Sequence, residues 1–405
     1  MNSNYKQRKG ILTILFFLFF AVNILVYRKQ VMVNKVLDLV LHNSYVDGFW
    51  NGTFFIYYPG YQILVGAFRK ITGLSVEWSS IIVLSLANVA SVLISAQIID
   101  ELCTKKTTEV TSKCPNFFTY VVSAMVNIAQ PIFTSTIRPG WSSGNSFISP
   151  TQAVCKPFAL LSVLFFFRMY RKRKFTAKKQ IAFFFFLAIS CLMKPLFAMA
   201  FIPAMGIILL IDEIVLIRRG SESVGKACES FIKKIWPLFV SGLVLIAEFL
   251  ATSFIPTDMA HHEQGGIGFG LWYAWGLVVP NIFISILMAY AFPITLFILI
   301  LISKPKNIIS SDISTFIKMV IPYAILAFAL ISFLFQKGSE LSVDFRTAWC
   351  LLFTLIYSLA GSLLMNWKNT TKESTRELIC LRISIILFVV HVMFGIALIA
   401  KYVFF

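Results

Sequence analysis

Apolar runs of about twenty residues, separated by short basic gaps, recur some eleven times along this chain, and no other feature constrains its fold as much. Coiled as helices at ~1.5 Å per residue, such runs match the ~30 Å hydrocarbon core of a bilayer. Of the residues, 58% are hydrophobic and only 13% are charged, against about 25% charged in an ordinary soluble domain. Lipid is therefore the solvent for most of the chain. A transmembrane β-barrel would show shorter segments of alternating polarity. The expected fold class is all-α, a polytopic transmembrane helical bundle, with residues 1–405 forming a single integral membrane domain.

The expected spans are 11–27, 78–101, 116–136, 151–170, 180–193, 195–217, 235–255, 281–303, 318–335, 347–366 and 380–403. Met193-Lys194-Pro195 interrupts one long apolar stretch, which reads either as two short helices folded back on each other or as one kinked span. Charge separates the two readings. With a hairpin and a cytoplasmic N-terminus, the inner segments 1–10, 102–115, 168–179, 218–234, 304–318 and 367–382 hold 25 of the 36 Lys and Arg, as the positive-inside rule requires. A fused span would put the basic stretch from Arg218 to Lys234 outside. Lys6, Arg8 and Lys9 ahead of Ile11 to Tyr27 look like the start of a signal peptide. No small-residue cleavage site follows, so the segment reads as an uncleaved first span.

A formal charge of +18 raises nucleic acid as a partner, but that needs a basic face on a soluble fold. The basic residues here lie between spans, so no nucleic acid is expected. Seven cysteines without a CxxC spacing indicate neither a zinc site nor a disulfide framework. Residues 28–77 form a first outer loop too long to be a mere connection. Within it, Val31 to His42 and Tyr61 to Ile71 have the apolar spacing of helices lying on the membrane surface. Between them stands YVDGFWNGTFFIYYPGY.

Candidate chemistry gathers on the outer side. Asp47, beside Gly48, Phe49, Trp50 and Asn51, has a glycine and aromatic setting suited to a carbohydrate. A carboxylate there can take the proton of a sugar hydroxyl attacking an activated donor; the plain alternative is a solvated loop acid. Trp50 and Tyr58 are aromatic candidates for substrate contact. Arg138, Lys156, Lys194, Lys337 and Arg346 are outer-end cations that run against the orienting rule, which binding a lipid phosphate would explain. Snorkelling to headgroups is the alternative. Lys194 is the sharpest of them, because it interrupts an apolar stretch just before a proline. Glu248 lies within a span, where an acid either functions or pairs with a neighbour.

His261, His262 and Glu263 precede the run GGIGFG. Adjacent histidines do not readily face one ion, so these three read as titratable or hydrogen-bonding groups for substrate, and no metal or other cofactor is expected. GGIGFG lacks the preceding strand of a phosphate loop and reads as a flexible outer turn. His42 and His391 read as ordinary surface or packed histidines.

This layout resembles the GT-C superfamily of membrane glycosyltransferases, which use polyprenyl-phosphate-linked sugars. The likeness lies in an inward N-terminus, a long first outer loop with two interfacial helices, an acid in that loop and basic residues at outer helix ends. YYPGYQILVGAF, Tyr57 to Phe68, is similar to the YPP-type segment that closes the loop in many members. Where many members carry paired acids, Asp47 is followed by Gly48. The resemblance implies Asp47 as catalytic base and Lys194 and Arg346 as phosphate contacts. As partners it implies the lipid bilayer, a polyprenyl-phosphate-linked sugar donor and a glycan or lipid-linked acceptor. The expected function is glycosyl transfer at the outer face of a bacterial cytoplasmic membrane, in cell-envelope polysaccharide or glycolipid assembly. Two alternatives stay open. An O-antigen- or capsule-type polymerase usually has its large arginine-bearing loop late in the chain, and a lipid-linked sugar flippase or transporter would show interrupted helices in matching halves.

Overall fold

The structure, a computed structural model, describes residues 3–53, 56, 58–103, 117–132, 147, 149–253, 267–276, 281–306, 308–336, 346–370 and 374–404. Helix α1 (Ser3–Arg28) continues through a π-helical turn (Lys29–Val33) and is followed by α2 (Leu37–Trp50), α3 (Gly60–Thr72), α4 (Val76–Leu102) and α5 (Phe117–Ile128). Then come α6 (Pro150–Lys172), α7 (Ala177–Met193), α8 (Leu196–Arg218), α9 (Val224–Ser253), α10 (Tyr273–Gly276) and α11 (Ile282–Ser303). The last helices are α12 (Ser311–Phe333), α13 (Arg346–Asn369) and α14 (Thr375–Phe404). Strands β1 (Ile267–Phe269) and β2 (Leu334–Gln336) pair antiparallel, with Gly268 opposite Phe335.

Among the described residues nine helices are long and apolar enough to cross a membrane: α1 with its π-turn, α4, α6, α8, α9, α11, α12, α13 and α14. The other two expected spans are shorter helices. α5 has 12 residues and α7 has 17, about 18 and 26 Å of helix. α4, α6 and α13 form the inner layer, each largely buried along its apolar window, whereas α1 and α9 are mostly exposed. Inner-helix serines return their hydroxyls to carbonyls one turn back, as Ser85, Ser91, Ser358 and Ser362 do. Polar side chains are thereby satisfied within the helix where no water competes.

The 177–218 stretch is a hairpin. Gln180 at the start of α7 donates to the Lys233 carbonyl at 2.6 Å, and Glu213 near the end of α8 accepts from Lys234 at 2.5 Å and from Ser230 at 3.1 Å. Both ends of the stretch therefore meet the same two turns of α9. A single continuous helix would hold residues 180 and 213 roughly 50 Å apart. Phe183 of α7 and Phe201 of α8 also share the Phe166 ring. The joint is Lys194, in extended backbone (φ −163°, ψ 107°), followed by Pro195 at the N-cap of α8.

Ion pairs collect at one end of the bundle. Arg168 and Arg171 of α6 reach Glu101 of α4 at 2.5 and 3.2 Å, Arg171 reaches Asp312 of α12 at 3.1 Å, and Arg173 reaches Asp212 of α8 at 3.6 Å. Asn366 of α13 donates to the Leu102 and Ile308 carbonyls. The ends of α4, α6, α8 and α13 and the starts of α7, α9 and α12 thus share this basic end. The opposite end holds α2, α3, the Lys194 joint, the β1–β2 pair and the start of α13.

Two sequence expectations need correction. The apolar period from Val31 prolongs α1 through the π-turn rather than opening a surface helix, because the break falls at residues 34–36, where Lys35 takes φ +46°. α2 starts only at Leu37, so Asp47 lies on its last turn and not in a loop. GGIGFG is not simply a turn either, since its residues 267–269 are β1. Gly268 sits under the Phe335 ring, where a Cβ would collide.

Candidate functional site

Two clusters form at the end opposite the basic one. The first surrounds the α7–α8 joint. Pro195 carries no amide hydrogen and fixes its φ, so α7 must stop before it, and Lys194 donates its own amide to the Ser190 carbonyl at 3.0 Å. Cys155 of α6 closes over the joint, its Sγ 3.6 Å from the Ser190 carbonyl and 3.7 Å from that of Lys194. The Lys194 side chain is buried, with 4% of its surface exposed, and its Nζ lies 5.2 Å from the centre of the Tyr58 ring. That separation is within cation–π range.

The next residue of α6, Lys156, is also buried at 7% exposure. Two lysines from different helices are therefore drawn into protein at the same end of the bundle. The N-terminus of α3 is seated on the joint. A Cβ on Gly60 would meet the Met193 sulfur and the Leu192 carbonyl, so only glycine lets Tyr58 and Pro59 approach Lys194 this closely. Glu248 is carried by α9. One of its carboxylate oxygens is buried with no hydrogen-bond partner among the described residues.

The second cluster clamps α2 to α3. Trp50 lies on Gly66, with its indole Nε1 donating to the Gln62 carbonyl at 3.0 Å and the Lys70 ammonium 3.9 Å from its ring centre. Asp47 forms an ion pair with Arg69, and its carboxylate side is 58% exposed. Deeper in, Tyr61 donates to Asn43 Oδ1 at 2.6 Å and so accepts from Ser80 Oγ at 2.6 Å. Burial pushes the Tyr61 phenol well above its ordinary range, so this hydroxyl stays a neutral strut between α2, α3 and α4. Gln62 Nε2 donates to His42 Nδ1 at 3.2 Å, which leaves the other ring nitrogen of His42 as the N–H facing Asp38 at 3.5 Å.

The expected site residues thus divide. Lys194 and Tyr58 meet at the joint. Trp50 and Asp47 belong to the α2–α3 clamp, with Asp47 matched to Arg69 near the far end of α3 from Lys194. Nine residues separate Gly60 from Arg69, which is roughly 14 Å along the helix. Arg346 opens α13 at the same end of the bundle. Arg138, His261, His262 and Glu263 lie outside the described residues, although β1 begins four positions after Glu263. Its partner β2 ends immediately before Lys337. His391 is packed as read: its Nδ1 lies 2.8 Å from the Gln130 carbonyl and 2.9 Å from Tyr357, whose own proton goes to the Ala289 carbonyl. Sequence reasoning missed Arg69 and Lys70, which carry no local motif. Their partners stand about twenty residues earlier. Among the described residues no group of three or more His, Cys, Asp or Glu is placed to hold a metal ion.

Compared with protein-family models and with curated proteins, the chain matches none.

Proposed function

We propose that this protein is a membrane glycosyltransferase that takes a polyprenyl-phosphate-linked sugar at the outer face, in assembly of a cell-envelope polysaccharide or glycolipid. The observation that carries this reading is the burial of Lys194 and Lys156 at one end of an apolar bundle, with Lys194 at a helix break under Tyr58. A lysine ammonium at that depth can hold a phosphate by charge-assisted hydrogen bonds, and a lipid phosphate brings its charge to the same level of the bilayer. Arg346, as the first residue of α13, would add a forked contact to the same phosphate.

In the transfer itself the acceptor hydroxyl oxygen forms a bond to the anomeric carbon as the bond from that carbon to the phosphate oxygen breaks. The phosphate keeps the electron pair and stays with the lipid. The hydroxyl proton goes to a base, and Asp47 is the residue proposed for it, on condition that α2 and α3 bring it from its pairing with Arg69, about 14 Å along α3, to the joint when substrate binds. Lys194 and Arg346 bind the departing phosphate and stabilise its charge.

Asp47→Asn keeps the shape of the side chain and removes the base. In a strain that depends on this gene for its surface glycan, glycan synthesis per unit of protein is expected to fall about a hundredfold or more while donor binding persists. Full synthesis by Asp47→Asn at normal protein level would remove Asp47 from the mechanism.

A further inference from the structure

A cavity of about 460 Å³ lies between α1, α4, α5 and the C-terminal half of α14. Leu15, Val22, Leu93, Val121, Ala124 and Ile399 are among its walls. Of the eighteen residues around it, only Asn23 and Tyr120 carry a side-chain nitrogen or oxygen. Asn23 is already engaged, accepting from Asn88 and donating to the Phe19 carbonyl, each at 2.8 Å. Each buried water needs about two to four polar partners, so the space is built for hydrocarbon.

The surroundings identify which hydrocarbon. α1, α4 and α14 are three of the helices long and apolar enough to cross a membrane. The rim residues Leu15, Leu18 and Leu93 are 38%, 57% and 38% exposed, so the cavity is continuous with the lipid-facing surface of the bundle. α4 packs against α1 and α5 on this side and against α6 on the other, which sets the cavity apart from the Lys194 joint.

We infer that this groove is a binding site for one acyl chain of a bilayer phospholipid, held between α1 and α5. The chain is a different one from the tail of any lipid whose phosphate sits at Lys194. The α1 helix, which buries little of its own surface in the bundle, completes its packing through that chain. The inference does not depend on glycosyl transfer and stands or falls without it.

The test uses the full-length protein in phosphatidylglycerol and phosphatidylethanolamine vesicles doped with a phospholipid carrying a diazirine in one acyl chain. Labelled positions are mapped after irradiation. When the vesicles are dissolved and the protein is washed in detergent before irradiation, labelling around Val121 and Ala124 is expected to survive about tenfold more detergent than labelling at Phe239, an exposed residue of α9. Ala124→Phe, which fills the groove, is expected to remove the retained labelling and leave that at Phe239 unchanged. Should that variant fail to fold, the milder Ala124→Leu and the retention ratio in the native protein still decide. Equal loss at both places overturns the inference. So does displacement of the groove label by polyprenyl phosphate but not by phospholipid, which would make the occupant an isoprenoid.

Discussion

The two ends of the bundle hold positive charge in different proportions of carboxylate and ring. At the basic end Arg168, Arg171, Arg173 and Lys234 each meet a carboxylate, and Glu213, almost fully buried, is matched by Lys234. At the opposite end Lys194 and Lys70 lie against aromatic rings, and Arg69 pairs with Asp47. A carboxylate cancels a cation's field, whereas a ring shelters the cation and leaves most of that field in place. The first arrangement fastens helices to one another, and under the proposed function the second faces the incoming phosphate.

That contrast can be broken at several points. The largest effect is expected at the basic end. Lys234→Ala leaves Glu213 buried without its cation and should cost about 3–5 kcal/mol of stability, read as a lowered melting temperature in detergent, with donor binding by the folded fraction unchanged. Next comes the seat of α3 on the joint. Gly60→Val drives a side chain into the Met193 sulfur and the Leu192 carbonyl and should cost about 1–3 kcal/mol. Trypsin accessibility of the α2–α3 segment should rise with it.

Tyr58→Leu keeps the apolar cover over Lys194 but removes the ring face, so donor affinity should fall by the ~0.5–2 kcal/mol of a cation–π contact. An unchanged affinity would show that Tyr58 only packs. The smallest effect belongs to the exposed pair. Arg69→Met should change stability by about 0–1 kcal/mol, measured by the same melting assay; a larger loss would make the Asp47–Arg69 contact structural.

The sequence made the helices readable because length and apolarity suffice to mark a span, and the run of eleven expected segments matches eleven helices in order. Nine of these meet the length and apolarity test for crossing. The α7–α8 hairpin was also readable, since Lys194-Pro195 breaks the helix and the flanking charge favours a turn there. What escaped was pairing between distant segments. Asp47 and Arg69, Tyr58 and Lys194, and the two three-residue strands meet only through tertiary packing. Three residues are too short a window to show a period of two. The start of α2 was misread for a different reason. The apolar spacing at Val31 belongs to the end of α1, and a π-turn changes the period without changing the composition. Gly66, needed so that Trp50 can lie on α3, looks in sequence like any weak point in a helix.

The central claim is that the Lys194 end recognises the phosphate of a lipid-linked donor, and equilibrium binding of radiolabelled polyprenyl phosphate to the purified protein tests it most directly. Polyprenyl phosphate should bind saturably while the uncharged polyprenol does not compete. Lys194→Met, which keeps the side chain's length and loses its charge, should weaken binding roughly a hundredfold, or about 3 kcal/mol. Equal affinity of native protein and Lys194→Met, or equal competition by polyprenol, would contradict the claim.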